Sequence, residues 1–119
     1  MLFEEIFIQA INERKLCKMT DKENKERIVE PYMMYLSSKR HLNYHCYQTE
    51  GFSETESIGW KNISSIDIKK IEIIDDKPVF KVRDEYNPFN KKFFPIVVYA
   101  IPTNDGRKRL PLGITNLFL

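Results

Sequence analysis

The chain of 119 residues has the length of one ordinary domain, enough for one modest hydrophobic core and too short for two independent ones. Its 42% hydrophobic and 30% charged residues place it among globular proteins and exclude both a disordered and a membrane-embedded chain. A net charge of +2, from 19 basic and 17 acidic side chains, is too even to mark a nucleic-acid footprint by itself, although a local patch would not need a large total.

The apolar residues lean on Ile, Val, Phe and Tyr, whereas Gly numbers 4 and Ala stands only at Ala10 and Ala100, a balance that packs better on a pleated sheet than around a helix. Cys17 and Cys46 form no CxxC pair and are too few for a disulfide scaffold. They read as reduced, buried thiols of a cytoplasmic protein. The start, Met1-Leu2-Phe3-Glu4-Glu5, lacks the basic flank and cleavage site of a signal peptide. The longest apolar run, residues 93–102, contains Pro95 and reaches about half the length that a membrane helix needs.

In chain order, residues 2–15 predict an amphipathic helix. Phe3, Ile6, Phe7, Ala10 and Ile11 recur at three- and four-residue steps and so share one face. Glu4 and Glu5 in the first turn and Arg14 and Lys15 in the last suit the helix dipole. Residues 16–19 suit a short first strand and residues 20–25 a polar turn. Residues 27–36 form a long apolar run in which Pro31 removes one ladder donor, which requires a strand start, an edge or a bulge there.

A link of hairpin length at residues 37–40 leads to a strand over residues 41–48. Leu42, Tyr44 and Cys46 fall on one face of it, and His41, Asn43, His45 and Tyr47 on the other. Rings on both faces mean that neither is simply wet. Residues 49–57 read as a loop, and strand character resumes at residues 58–63. Ile66, Ile68, Ile71 and Ile73 are assigned to the core, with Asp75-Asp76-Lys77-Pro78 as the next turn.

Residues 79–90 are expected to wrap the surface, anchored by Phe80, Val82, Tyr86 and Phe89. Ile96, Val97 and Val98 predict a strand within residues 93–101, whose length also fits a short helix beginning near Pro95. Asn104-Asp105-Gly106 marks a turn before Arg107-Lys108-Arg109 and an apolar tail over residues 110–119. The fold class is therefore mainly β within an α+β plan: a single domain over residues 1–119, a small barrel or strongly curled sheet with an N-terminal helix, and residues 79–119 as a C-terminal extension.

Chemistry-bearing motifs point away from an enzyme. His41 and His45 are the two histidines, and no nucleophile signature accompanies them. On a strand, residues four apart lie about 13 Å from each other, too far for one zinc ion to join both directly. The acidic pairs Glu4/Glu5, Glu54/Glu56 and Asp75/Asp76 fall at a helix start or in turns, where solvated capping explains them. No glycine-rich phosphate loop is present, and no cofactor or metal is expected.

More suggestive is the cluster Tyr32, Tyr44, His45, Tyr47, Gln48, Trp60 and Lys61. Flat rings beside one cation and one amide can clamp a planar ligand by stacking and hydrogen bonding. Rings that simply fill a barrel core would show the same spacing, and spacing alone favours that core slightly. Arg107, Lys108 and Arg109, with Lys91 and Lys92, suit phosphate contacts, although a solvated charge run beside a turn is the commoner outcome.

The segment Glu26-Arg27-Ile28-Val29-Glu30-Pro31-Tyr32 resembles the V-E-P-Y strand of the WYL domain family. The order of the preceding helix and the following Tyr- and Cys-containing strand agrees. Short stand-alone WYL-like proteins are similar in Tyr47-Gln48-Thr49-Glu50-Gly51-Phe52-Ser53, Gly59-Trp60-Lys61, residues 68–75 and Tyr86-Asn87-Pro88. Where the family's Trp-Tyr-Leu tripeptide is expected, this chain has Arg40-His41-Leu42 or His41-Leu42-Asn43. The family's basic positions fall on Lys61, Ser64 and Asp67, and only Lys61 keeps its charge. The resemblance implies an Sm/SH3-type barrel and a non-catalytic regulatory or accessory module. Its ligand would be a nucleotide-like small molecule or single-stranded nucleic acid, held at Tyr32, Tyr44, His45, Tyr47, Trp60 and Lys61. The alternative is a protein-interaction or oligomerisation module that uses strand edges near Phe93 and the apolar tail.

Overall fold

The structure is a computed structural model that describes residues 2–51 and 58–102. Helix α1 (Phe3–Glu13) forms where the apolar spacing demands it and buries Phe7, Ala10 and Ile11. Its end corrects the sequence expectation, because Arg14 and Lys15 lie past the last turn rather than in it. Arg14 takes the left-handed conformation at φ 58°. Its N–H donates to the Ile11 carbonyl and that of Lys15 to the Ala10 carbonyl, a Schellman-type close. The Arg14 guanidinium also donates to the Ile11 carbonyl, so its charge still serves the helix end.

The strands are β1 (Cys17–Asp21), β2 (Glu26–Leu36), β3 (Leu42–Gly51), β4 (Gly59–Ser64), β5 (Ile68–Ile73) and β6 (Ile96–Ala100). They build one antiparallel sheet in the order β4-β3-β2-β1-β5, with β6 added to β2. A 3-10 turn (Ser65–Asp67) links β4 to β5. Those two strands do not pair among the described residues, so the curl stays open there.

β2 explains why Pro31 is tolerated at the centre of the sheet. One edge of β2 pairs with β3, and the other is shared: residues 26–29 pair with β1, and residues 33–36 with β6. Pro31 falls at the changeover, where its missing N–H leaves no gap in either ladder. The register against β3 shifts between Pro31 and Met33, so that of a strand start, an edge or a bulge it is the bulge that the structure shows.

Three further sequence expectations meet the structure here. Thr49, Glu50 and Gly51 continue β3 rather than opening a loop. The β-branched run from Ile96 is a strand, paired with β2. Ile66 is 68% exposed, not in the core, because it sits in the 3-10 turn and the inward alternation starts only at Ile68.

Both faces of the sheet are covered. α1 packs on one, where the Phe7 ring centroid lies 4.7 Å from that of Tyr44. Residues 79–94, here called the strap, cross the other face without helix or strand and bury Phe80, Tyr86 and Phe94. The Phe80 N–H donates to the Arg14 carbonyl at 2.8 Å, and the Tyr86 hydroxyl to the Ile101 carbonyl at 2.8 Å. The turn Asn104-Asp105-Gly106, the basic Arg107-Lys108-Arg109 and the apolar tail lie outside the described residues. No helix of the described residues is long and apolar enough to cross a membrane.

Candidate functional site

Strand alternation divides the predicted site residues between the two faces. In β3 and β4 the register pairs Tyr44 with Ile63, His45 with Asn62, Cys46 with Lys61 and Tyr47 with Trp60. Directly opposed residues share a face and successive residues do not. His45, Tyr47 and Trp60 therefore belong to the strap face, together with Tyr32 from the bulge of β2. Tyr44, Gln48 and Lys61 belong to the helix face. The structure does not bring the predicted residues around one hollow, and Tyr32, Tyr44 and Gln48 are sealed from solvent.

On the strap face the rings pack on one another. His45 stacks on Trp60, with 5.0 Å between centroids and planes 7° apart, and Phe94 closes its other flank at 4.8 Å. Tyr32 meets Trp60 edge-on at 4.8 Å, and Phe80 and Tyr86 of the strap reach Tyr32 at 5.4 and 4.8 Å. These are the tilted and stacked geometries that aromatic quadrupoles prefer. Half of the predicted groove is thus an aromatic core under the strap. Tyr47 and Trp60, at right angles and 5.3 Å apart, remain partly exposed at its rim.

One ion pair fastens the strap to this rim. Arg83 Nε donates to Glu30 Oε1 at 2.9 Å and Nη2 to Glu30 Oε2 at 3.0 Å, a bidentate fork. The Tyr32 hydroxyl donates to Glu30 Oε1 at 3.1 Å and accepts the Arg83 N–H at 3.0 Å. The guanidinium carbon of Arg83 lies 3.5 Å from the centroid of Tyr47. Hydrogen bonding to Glu30 raises the Arg83 pKa further, and burial raises that of Tyr32 well beyond the ordinary tyrosine range. Beside the ion pair lies a shallow hollow of about 400 Å³ along the strap, lined by Phe80, Lys81 and Arg83 among others.

His45 is buried, and its Nδ1 lies 2.8 Å from Asn62 Oδ1. Desolvation lowers its pKa against the opposing effect of that hydrogen bond, which favours a neutral ring. Neutral imidazole is also what a stack on Trp60 sealed by Phe94 can hold without an unpaired buried charge. Among the described residues no group of three His, Cys, Asp or Glu is placed to hold a metal ion.

The helix face has a different character. Burial raises the pKa of the Cys46 thiol to about 12 and that of Tyr44 to about 12, and pushes Cys17 higher still. The two cysteines are free and buried. Gln48 is 0% exposed and its Oε1 accepts from Arg27 Nη1 at 3.2 Å. Its amide nitrogen has no hydrogen-bond partner among the described residues. Arg27 also lines a cleft of about 410 Å³ at the open seam between β4 and β5, whose floor is Met19, Ile63 and Ile68.

Glu30, Arg83 and Arg27 are the functional candidates that sequence reasoning does not single out. Arg83 meets Glu30 across 53 positions of chain, a pairing that no local spacing encodes. No protein-family model matches the chain, no curated protein matches it, and no solved structure matches it.

Proposed function

We propose that the chain is a non-catalytic, WYL-like binding module of the Sm/SH3 type, and that it takes a nucleotide-like small ligand or single-stranded nucleic acid. An N-terminal helix, the strand order β4-β3-β2-β1-β5 and the 3-10 turn before β5 support the fold part of this reading. The V-E-P-Y segment at the bulge of β2 supports the family part. The observation that carries the ligand is the rim itself: Tyr47 and Trp60 partly exposed, with the Arg83 guanidinium held over Tyr47 by Glu30. A guanidinium on a ring offers a plane for a base and a charge for a phosphate in one place. The contact surface is therefore Tyr47, Trp60 and Arg83 with the strap hollow beside them. Lys61 on the opposite face is not part of it.

Trp60 is the single tryptophan, so its fluorescence reports occupancy of the rim directly. A titration with a nucleotide panel and short DNA and RNA oligomers is expected to perturb that emission. Arg83→Gln with Tyr47→Leu is expected to weaken binding at least tenfold, and Lys61→Ala to leave it unchanged. Wild-type affinity in the double variant would remove the site. A steep fall of affinity with salt would favour the nucleic acid over the small ligand.

A second reading rests on a different observation. Phe93 and Ile96 are 64% and 44% exposed where β6 begins, and the outer edge of β6 is unpaired among the described residues. Such an edge suits strand addition from another chain. Light scattering over a concentration series tests its self-association form, which a constant monomer mass would exclude.

A further inference from the structure

On the premise that the rim is a ligand site, we infer that it takes a single strand of nucleic acid rather than a free nucleotide, and that Lys91, Lys92 and Phe93 form a second contact station for the same strand.

The station is a turn of the strap built around Asn90. The Asn90 carbonyl accepts the N–H groups of Phe93 at 3.2 Å and Phe94 at 2.9 Å, and its side-chain oxygen accepts that of Lys92 at 3.2 Å. Phe94 turns inward and is buried, its ring 4.8 Å from His45 and 4.9 Å from Tyr35. With Phe94 anchored, Phe93 is left outside and is 64% exposed. Lys91 and Lys92 are exposed beside it, and neither side chain is paired with a carboxylate among the described residues. One flat ring with two ammonium groups matches what a single strand offers in alternation, base faces and phosphates.

Buried rings connect this station to the rim. Phe94 packs on His45, and His45 stacks on Trp60 at 5.0 Å. Phe93 and Trp60 therefore stand at the two ends of one packed spacer.

The charges decide between a strand and a free nucleotide. The hollow beside Arg83 is lined by Glu30, Asp84 and Glu85 against Lys81 and Arg83, and Glu30 already holds the Arg83 guanidinium. An acidic excess there opposes the concentrated charge of a nucleotide triphosphate. It opposes a strand far less, because each phosphodiester carries one charge and the next can lie at Lys91 and Lys92. The rim then stacks a base and the Asn90 turn holds the backbone.

Trp60 emission of the full-length protein tests this with three probes: a thymidine dinucleotide, a thymidine octanucleotide and thymidine triphosphate. The octanucleotide is expected to bind at least about tenfold tighter than either of the others. Phe93→Ala should weaken the octanucleotide about fivefold or more and leave the dinucleotide unchanged. Lys91→Ala with Lys92→Ala should flatten the fall of log affinity with log salt by about 1.4, which is about 0.7 for each lost phosphate contact. All three side chains are exposed, so folding is not at stake. Wild-type octanucleotide affinity in both variants would overturn the station while leaving the rim as a site. Triphosphate binding tighter than that of the octanucleotide would overturn the strand. No response of Trp60 to any probe would overturn the rim and the station together. A wild-type dimer that Phe93→Ala converts to a monomer, with octanucleotide affinity unchanged, would give Phe93 to strand addition instead.

Discussion

The two faces of this one sheet treat their polar groups in opposite ways. On the strap face, Glu30, Tyr32 and Arg83 pair with one another, and the buried His45 pairs with the exposed Asn62, beside packed rings. On the helix face, the buried Gln48 keeps an amide nitrogen that has no partner among the described residues. A paired polar network rigidifies the face it closes, whereas an unmatched buried donor gives up stability.

The sharpest way to break the comparison is to remove a strap ring. Tyr86→Ala deletes contacts to Tyr32 and Trp60 and a buried hydroxyl bond to Ile101, and should destabilise by about 3–5 kcal/mol in urea unfolding. A change below about 1 kcal/mol would mean that the strap is not part of the core. Arg83→Met comes next. It leaves Glu30, 6% exposed, without its fork, but the arginine side chain itself is 33% exposed, so solvent discounts the loss to about 2 kcal/mol.

Acid provides a third and smaller test. The pKa of His45 is lowered in the folded state from its ordinary value of 6.5, so below that pH the unfolded chain binds more protons than the folded one. The contribution of the neutral ring is fully present above about pH 6.5 and is lost as pH falls toward the depressed folded value. Urea midpoints measured between about pH 5 and pH 8 should show this slope, and His45→Phe should flatten it. An unchanged slope in that variant would assign the pH dependence elsewhere. Smallest of all is Gln48→Leu. It removes the orphan donor together with one neutral acceptor, and stability should stay within about 1 kcal/mol of wild type. A loss as large as that of Tyr86→Ala would show that Gln48 is a structural group after all.

Local patterns in the sequence foretell the elements better than the site. Helical spacing marks α1, β-branched composition favours a strand at β6 over a short helix, and Pro31 narrows its place in β2 to a strand start, an edge or a bulge. Each of these follows from a residue and its near neighbours. The aromatic cluster is legible as a set but not as a surface, because burial of Tyr32 depends on Phe80 and Tyr86, which arrive from a distant segment. The separation of Trp60 from Lys61 is available in principle, since adjacent strand residues point to opposite faces. Grouping by chemistry obscures it. The grip of Arg83 on Glu30 and the cleft at Arg27 are products of strand order, and no spacing rule reaches them.

Mapping backbone amide shifts on addition of a short single-stranded oligonucleotide or a nucleotide panel tests the central claim most directly. The predicted result is a contiguous set of shifts at Tyr47, Trp60, Arg83 and the neighbouring strap, abolished in Arg83→Gln. Shifts confined to the helix face, or none from any of these probes, would contradict it.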